Sequence, residues 1–73
     1  MEKIEMRTFF YIITLQYTIN GQLTVNSQSG NYTAKFVESY ENMYLNILKA
    51  TRKAHNIPEV SSVLFYHIEE EDS

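Results

Sequence analysis

An alternation near the start of this chain limits its possible folds more than any other feature. From Phe9 the odd positions read Phe9, Tyr11, Ile13, Leu15, Tyr17 and Ile19, while Thr14, Gln16, Thr18 and Asn20 between them are polar. Side chains point alternately to the two faces of a strand, so this period of two in β-branched and aromatic residues predicts a long half-buried strand. Asn20-Gly21 follows, and both residues tolerate positive φ, which predicts a hairpin. A two-residue loop would set Ile19 against Gln22 and Tyr17 against Thr24, leaving Leu23 and Val25 on the wrong face. A three-residue loop, Ile19-Asn20-Gly21 with a G1 bulge at Gly21, would pair Tyr17 with Leu23 and Leu15 with Val25. Because a one-residue slip exchanges whole faces, the three-residue loop is expected. The second strand then runs from about Gln22 to Gln28 and gives way to a loop through Ser27-Gln28-Ser29-Gly30-Asn31.

Thr33 is the expected N-cap of a helix. Phe36, Val37, Tyr40, Met43, Tyr44, Ile47, Leu48, Thr51 and Ala54 recur at steps of three and four, giving an amphipathic helix of five to six turns. Asn56 in a left-handed cap, Ile57 closing over the end and Pro58 beyond it would stop the helix. Val60 to Ile68 reads as a third strand, and Glu69 to Ser73 as a solvated acidic tail. The expected architecture is α+β, a single ββαβ domain over residues 1–73 with flexible ends at 1–5 and 69–73. A right-handed crossover over the first strand gives a three-stranded antiparallel sheet in the order 2-1-3, with one helix on one face.

One helix covers one face. The odd face of the first strand, with Leu23 and Val25 and the set Leu64, Tyr66 and Ile68, is expected to meet it. Ile4, Met6, Phe10, Ile12, Val63 and Phe65 are then left on the open face as the expected interaction surface. Monomers rarely expose a contiguous apolar patch of several hundred Å². The size of the chain points the same way: a 73-residue chain buries only about 60–65% of its unfolded surface, and it has no cysteine to supply a disulfide or thiolate metal site. A homodimer, or another protein against this face, is the expected partner.

Chemistry is sparse. Gly21 and Gly30 read as isolated turn glycines, so there is no phosphate loop, and no nucleophile elbow or triad spacing appears. His55 falls in the last helical turn, where a cation suits the dipole. His67 and Glu69 share a side of a strand but are too few for a metal site. Tyr11, Tyr17, Tyr40 and Tyr44 fall at core-facing periods. Lys49, Arg52 and Lys53 form one basic cluster, explained by the helix dipole or by a weak anion contact. A net charge of −3 argues against general nucleic-acid binding. The acidic run at Glu69-Asp72 could instead mimic phosphate in an inhibitor. Asn31-Tyr32-Thr33 matches the glycosylation triplet by chance, and neither a signal peptide nor a membrane-spanning stretch is legible.

Tyr11-Ile12-Ile13-Thr14-Leu15-Gln16, Ser29-Gly30 and Val63-Leu64-Phe65-Tyr66-His67-Ile68-Glu69 together resemble a group of uncharacterised small proteins of Gram-positive bacteria and their phages or mobile elements. The chain differs from that group in ending Glu69-Glu70-Glu71-Asp72, where a Pro-Asn step follows the glutamate. The resemblance implies a bacterial or phage cytoplasmic protein and carries over no catalytic residue. The expected function is a non-enzymatic protein–protein interaction module without cofactors that self-associates through the open face. The alternative is a nucleic-acid-associated or phage-type regulatory or inhibitor protein using the Lys49/Arg52/Lys53 face or the acidic tail.

Overall fold

The computed structural model describes residues 5–71. It contains strands β1 (Met6–Ile19) and β2 (Gln22–Lys35), helix α1 (Tyr40–Ala54) and strand β3 (Ser62–Glu70). The sheet is antiparallel throughout in the order β2-β1-β3, so the strand with the strongest alternation is the central one. The long hairpin makes the molecule elongated, 54 × 21 × 17 Å.

The turn takes the form that the apolar pattern argued against. Asn20 and Gly21 both have positive φ, 51° and 77°, and the ladder closes directly on Ile19 and Gln22, as in a two-residue type I′ turn. Tyr17 therefore lies opposite Thr24, and Leu15 opposite Asn26. Leu23 and Val25 stand on the open face, 67% and 58% exposed. The I′ turn matches the right-handed twist of the strands and needs positive φ at both central residues, which Asn-Gly supplies; β1 and β2 then pair without interruption from Met6–Lys35 to Ile19–Gln22. The helix-side positions of β2 need not be apolar because this is an edge strand. Gln28 donates to Asn26 Oδ1 at 2.7 Å, and Asn26 lies 3.5 Å from the Tyr17 hydroxyl.

β2 also continues through the expected loop and the expected helix cap. Thr33 pairs with Thr8, and Gly30 is a strand residue over which Tyr11 packs; a Cβ there would lie 3.0 Å from the Tyr11 hydroxyl. Backbone pairing decides this, because the first third of β1 would otherwise leave its amide groups on that side without partners. Phe36 and Val37 sit in a turn, 60% and 88% exposed, and the helix is four turns rather than five to six. Ser39 is the N-cap, its Oγ accepting from the Asn42 N–H at 3.1 Å. The C-terminus ends as its residues predict. Asn56 has φ 53°, and the Ile57 N–H donates to the Arg52 carbonyl at 2.9 Å in a Schellman arrangement that buries Ile57.

The core lies between α1 and the odd face of β1. Ile13, Leu15 and Tyr17 meet Ile47, Leu48 and Ile57, while Phe9 and Ala34 meet Met43; Tyr32 and Ile68 join the two groups. β3 contributes through a bulge. Its register shifts between Thr14–Phe65 and Leu15–Val63, leaving Leu64 as the extra residue, half exposed. Tyr66 and Ile68 face the helix as expected. Val63 does so as well, because the bulge inverts the alternation at that point. β3 also runs on to Glu70, with Phe9 opposite Glu70, so Glu69 and Glu70 belong to the sheet rather than to a flexible tail.

The two cap assignments separate experimentally. Ser39→Ala should cost about 1 kcal/mol, seen as a lower urea midpoint at unchanged slope, whereas Thr33→Ala should stay within about 0.5 kcal/mol. Equal effects would be incompatible with a helix that starts at Ser39.

Candidate interaction surface

The open face is built from the even residues of β1 and the residues paired with them. Phe10 lies between Asn31 and Glu69, Ile12 between Ser29 and His67, Thr14 between Ser27 and Phe65, and Gln16 between Val25 and Ser62. Phe10 and Ile12 are half-buried by these neighbours and Phe65 is 53% exposed. Phe10, Ile12 and Phe65 are thus brought together near the middle of the sheet. Leu23 and Val25 extend the apolar surface towards the hairpin tip, and Met6 towards the other end. Thr14 Oγ1 and Ser27 Oγ are 2.9 Å apart between them. Of the expected face residues, Met6, Phe10, Ile12 and Phe65 lie there, Val63 belongs to the core, and Ile4 is outside the described residues. Leu23 and Val25 were missed because the phase of the hairpin, which places them, depends on the turn.

Of the remaining candidates, His67 and Glu69 lie on this face beside Ile12 and Phe10, and the helix residues do not. His67 Nε2 and Glu69 Oε2 are 3.8 Å apart at the β3 edge, both well exposed. Among the described residues, no group of three or more His, Cys, Asp or Glu could hold a metal ion. Arg52 is spoken for by the α1–β3 loop, its Nε donating to Ser61 Oγ at 2.9 Å and its Nη2 to the Ser61 carbonyl at 3.3 Å. Lys49 and Lys53 remain exposed, and the shallow depression of about 300 Å³ beside Lys49 and Arg52 also holds the Glu59 carboxylate, which opposes an anion there. His55 is the helix C-cap. No helix among the described residues is long and apolar enough to cross a membrane.

Two polar clusters that sequence reasoning missed hold the helix layer to the sheet. Arg7 makes a bidentate pair with Glu70, 2.9 Å to Oε1 and 3.2 Å to Oε2. Its guanidinium lies 4.9 Å from the Phe9 ring centroid, 5.8 Å from Phe36 and 6.0 Å from Tyr40. A charged residue at an odd position of β1 was the one legible signal. On the other side, the Tyr32 hydroxyl donates to Glu38 Oε2 at 2.5 Å, Asn42 donates to the same oxygen at 2.9 Å, and Asn46 donates to the Tyr32 hydroxyl at 2.9 Å. The hydrogen bond from Arg7 lowers the pKa of Glu70, and that from Tyr32 lowers the pKa of Glu38. Burial, and then Glu38, raise the pKa of Tyr32.

Comparison with protein-family models, curated proteins and solved structures returns no match.

The carboxylate shifts set an acid limit on stability. A carboxyl group whose pKa is lower when folded contributes stability that is complete above its ordinary value, near 4.5, and is lost as pH falls through the lower folded value. The urea midpoint should therefore be flat from pH 7 to about pH 5 and decline below it. Glu70→Gln should lower the plateau and make the acid decline shallower; an unchanged acid decline would mean that the Arg7 pair has no part in it.

Proposed function

We propose that this chain is a non-enzymatic protein–protein interaction module that self-associates by stacking its open sheet face on the same face of a second copy. The observation that carries this reading is the placement of Phe10, Ile12 and Phe65 close together on the sheet face that no described helix covers. The charged groups of that face lie at its margins, with His67 and Glu69 on the β3 edge and Lys35 at the far end of β2. An apolar centre within a polar rim is the usual anatomy of a protein interface. A second copy suits this face because a two-fold stack sets apolar centre on apolar centre and keeps the charged margins in water.

The size of the face sets the strength. Three strands about 4.8 Å apart and some ten residues long at about 3.3 Å each present roughly 500 Å² per chain, or about 1,000 Å² in the pair. That is the lower limit of specific interfaces, so the dimer is weak and concentration-dependent. The nucleic-acid alternative has less behind it, because Arg52 is engaged by Ser61, Glu59 lines the same depression as Lys49, and the net charge is −3. Phosphate mimicry by the acidic run loses one of its charges to the Arg7 pair. A cytoplasmic setting belongs to the same proposal, supported by the lack of cysteine.

Sedimentation equilibrium over a wide concentration range should show a reversible monomer–dimer system. Phe65→Glu and Phe10→Glu should each weaken it at least about tenfold, with helical circular dichroism retained. A wild-type protein that stays monomeric at every concentration would sink the reading.

A further inference from the structure

A different surface, the outer edge of β2, has a chemistry of its own. After a two-residue I′ turn the closing pair Ile19–Gln22 is hydrogen-bonded, and hydrogen-bonded pairs then alternate along the ladder. The even residues of β2 thus direct their N–H and C=O groups to β1. Leu23, Val25, Ser27, Ser29, Asn31 and Thr33 direct theirs away from the sheet, and no described strand pairs there.

The two edges of this sheet are unequally defended. Exposed edges are usually blunted by charge, proline, a bulge or short length, because a free ladder recruits another strand. The β3 edge has a bulge at Leu64 and carries His67, Glu69 and Glu70 within nine residues. β2 has fourteen residues and no proline, its register is unbroken, and its one charged side chain, Lys35, is the last residue. We propose that β2 pairs antiparallel with β2 of another copy, joining two three-stranded sheets into one of six strands.

A second copy fits this edge better than an unrelated strand does, because β2 is complementary to itself. A two-fold axis at Ser29 keeps the outward-directed residues in register. It sets Ser29 against Ser29 of the copy, Ser27 against Asn31, Val25 against Thr33 and Leu23 against Lys35. Small hydroxyl and amide side chains then meet at the centre and β-branched ones flank them, which favours cross-strand pairing. The two lysines fall at opposite ends of the new ladder. α1 approaches β2 at its N-terminal end, where Met43 packs on Ala34, and this pairing places Ala34 beside Thr24 of the copy, at a hairpin tip. The C-terminal half of α1 lies over Ile13, Leu15 and Tyr17 of β1, away from the edge.

Backbone amide exchange followed by NMR at low and high protein concentration tests this directly, because stacking through the open face leaves the outward amides of β2 in water. The even amides of β2 should be protected at both concentrations. Those of Val25, Ser27, Ser29 and Asn31 should slow at least about tenfold only where sedimentation shows association. Ser29→Pro removes an outward donor without touching the ladder to β1, so it should abolish the slowing while the even amides stay protected. Ser29→Lys keeps the backbone donor but opposes like charges across the axis, so it should weaken association in low salt and recover as salt is added. Phe65→Glu should leave the slowing intact at high concentration. Outward amides that stay fast in an associated protein would overturn the edge pairing and leave the face stack standing. Slowing produced only by an added extended peptide, and not by the chain's own concentration, would overturn the assignment to a second copy.

Discussion

Everything in this molecule is hung on the uninterrupted pairing of β1 with β2. Fourteen residue pairs in one register commit the whole of β1 to one set of faces. They also commit the chain as far as Lys35 to the sheet, so the helix cannot begin before the Phe36–Val37 turn has redirected the backbone. The conformation of Asn20 and Gly21 sets that register, and it sends Leu23 and Val25 to the face opposite the core. Two exposed apolar side chains are a modest cost beside the type I′ turn that Asn20-Gly21 favours.

β1 fills both of its edges and one of its faces, which makes it the structural axis of a fold with little else to draw on. Phe9, Ile13 and Leu15 are fully buried beneath one four-turn helix. The polar clusters tie the layers down beyond the reach of that helix. Arg7 and Glu70 join the start of β1 to the end of β3 beneath Phe36 and Tyr40, and Tyr32 with Glu38, Asn42 and Asn46 joins β2 to the helix. Exposed ion pairs contribute little by themselves. The stacking of the Arg7 guanidinium against aromatic rings adds a contribution that does not depend on screened charge alone.

A small sheet with a single helix leaves open surfaces of two kinds, and the two differ in physical character. The uncovered face offers apolar area without direction, so stacking on it would be loose and governed by area. The β2 edge offers directed backbone groups with almost no charge, so pairing along it would be governed by register. A chain without disulfides would gain stability from either kind of association through mass action.

The residues of this chain by themselves determined the element order, the central place of β1, the sheet order β2-β1-β3 and the close of the helix at Asn56 and Ile57. These follow from local periodicity, turn chemistry and the handedness of a crossover, all of which act over a few neighbouring residues. They also place Phe10, Ile12 and Phe65 away from the helix. Tertiary structure alone decided the passage of β2 through Thr33, the start of the helix at Ser39 and the bulge at Leu64 that turns Val63 inward. Each of these is a competition between a local preference and hydrogen bonding to a partner strand distant in sequence. A long central strand has to pair along its full length, and where a cap at Thr33 conflicted with that demand, backbone pairing prevailed; at Leu23 the turn that Asn20-Gly21 favours overrode the apolar alternation.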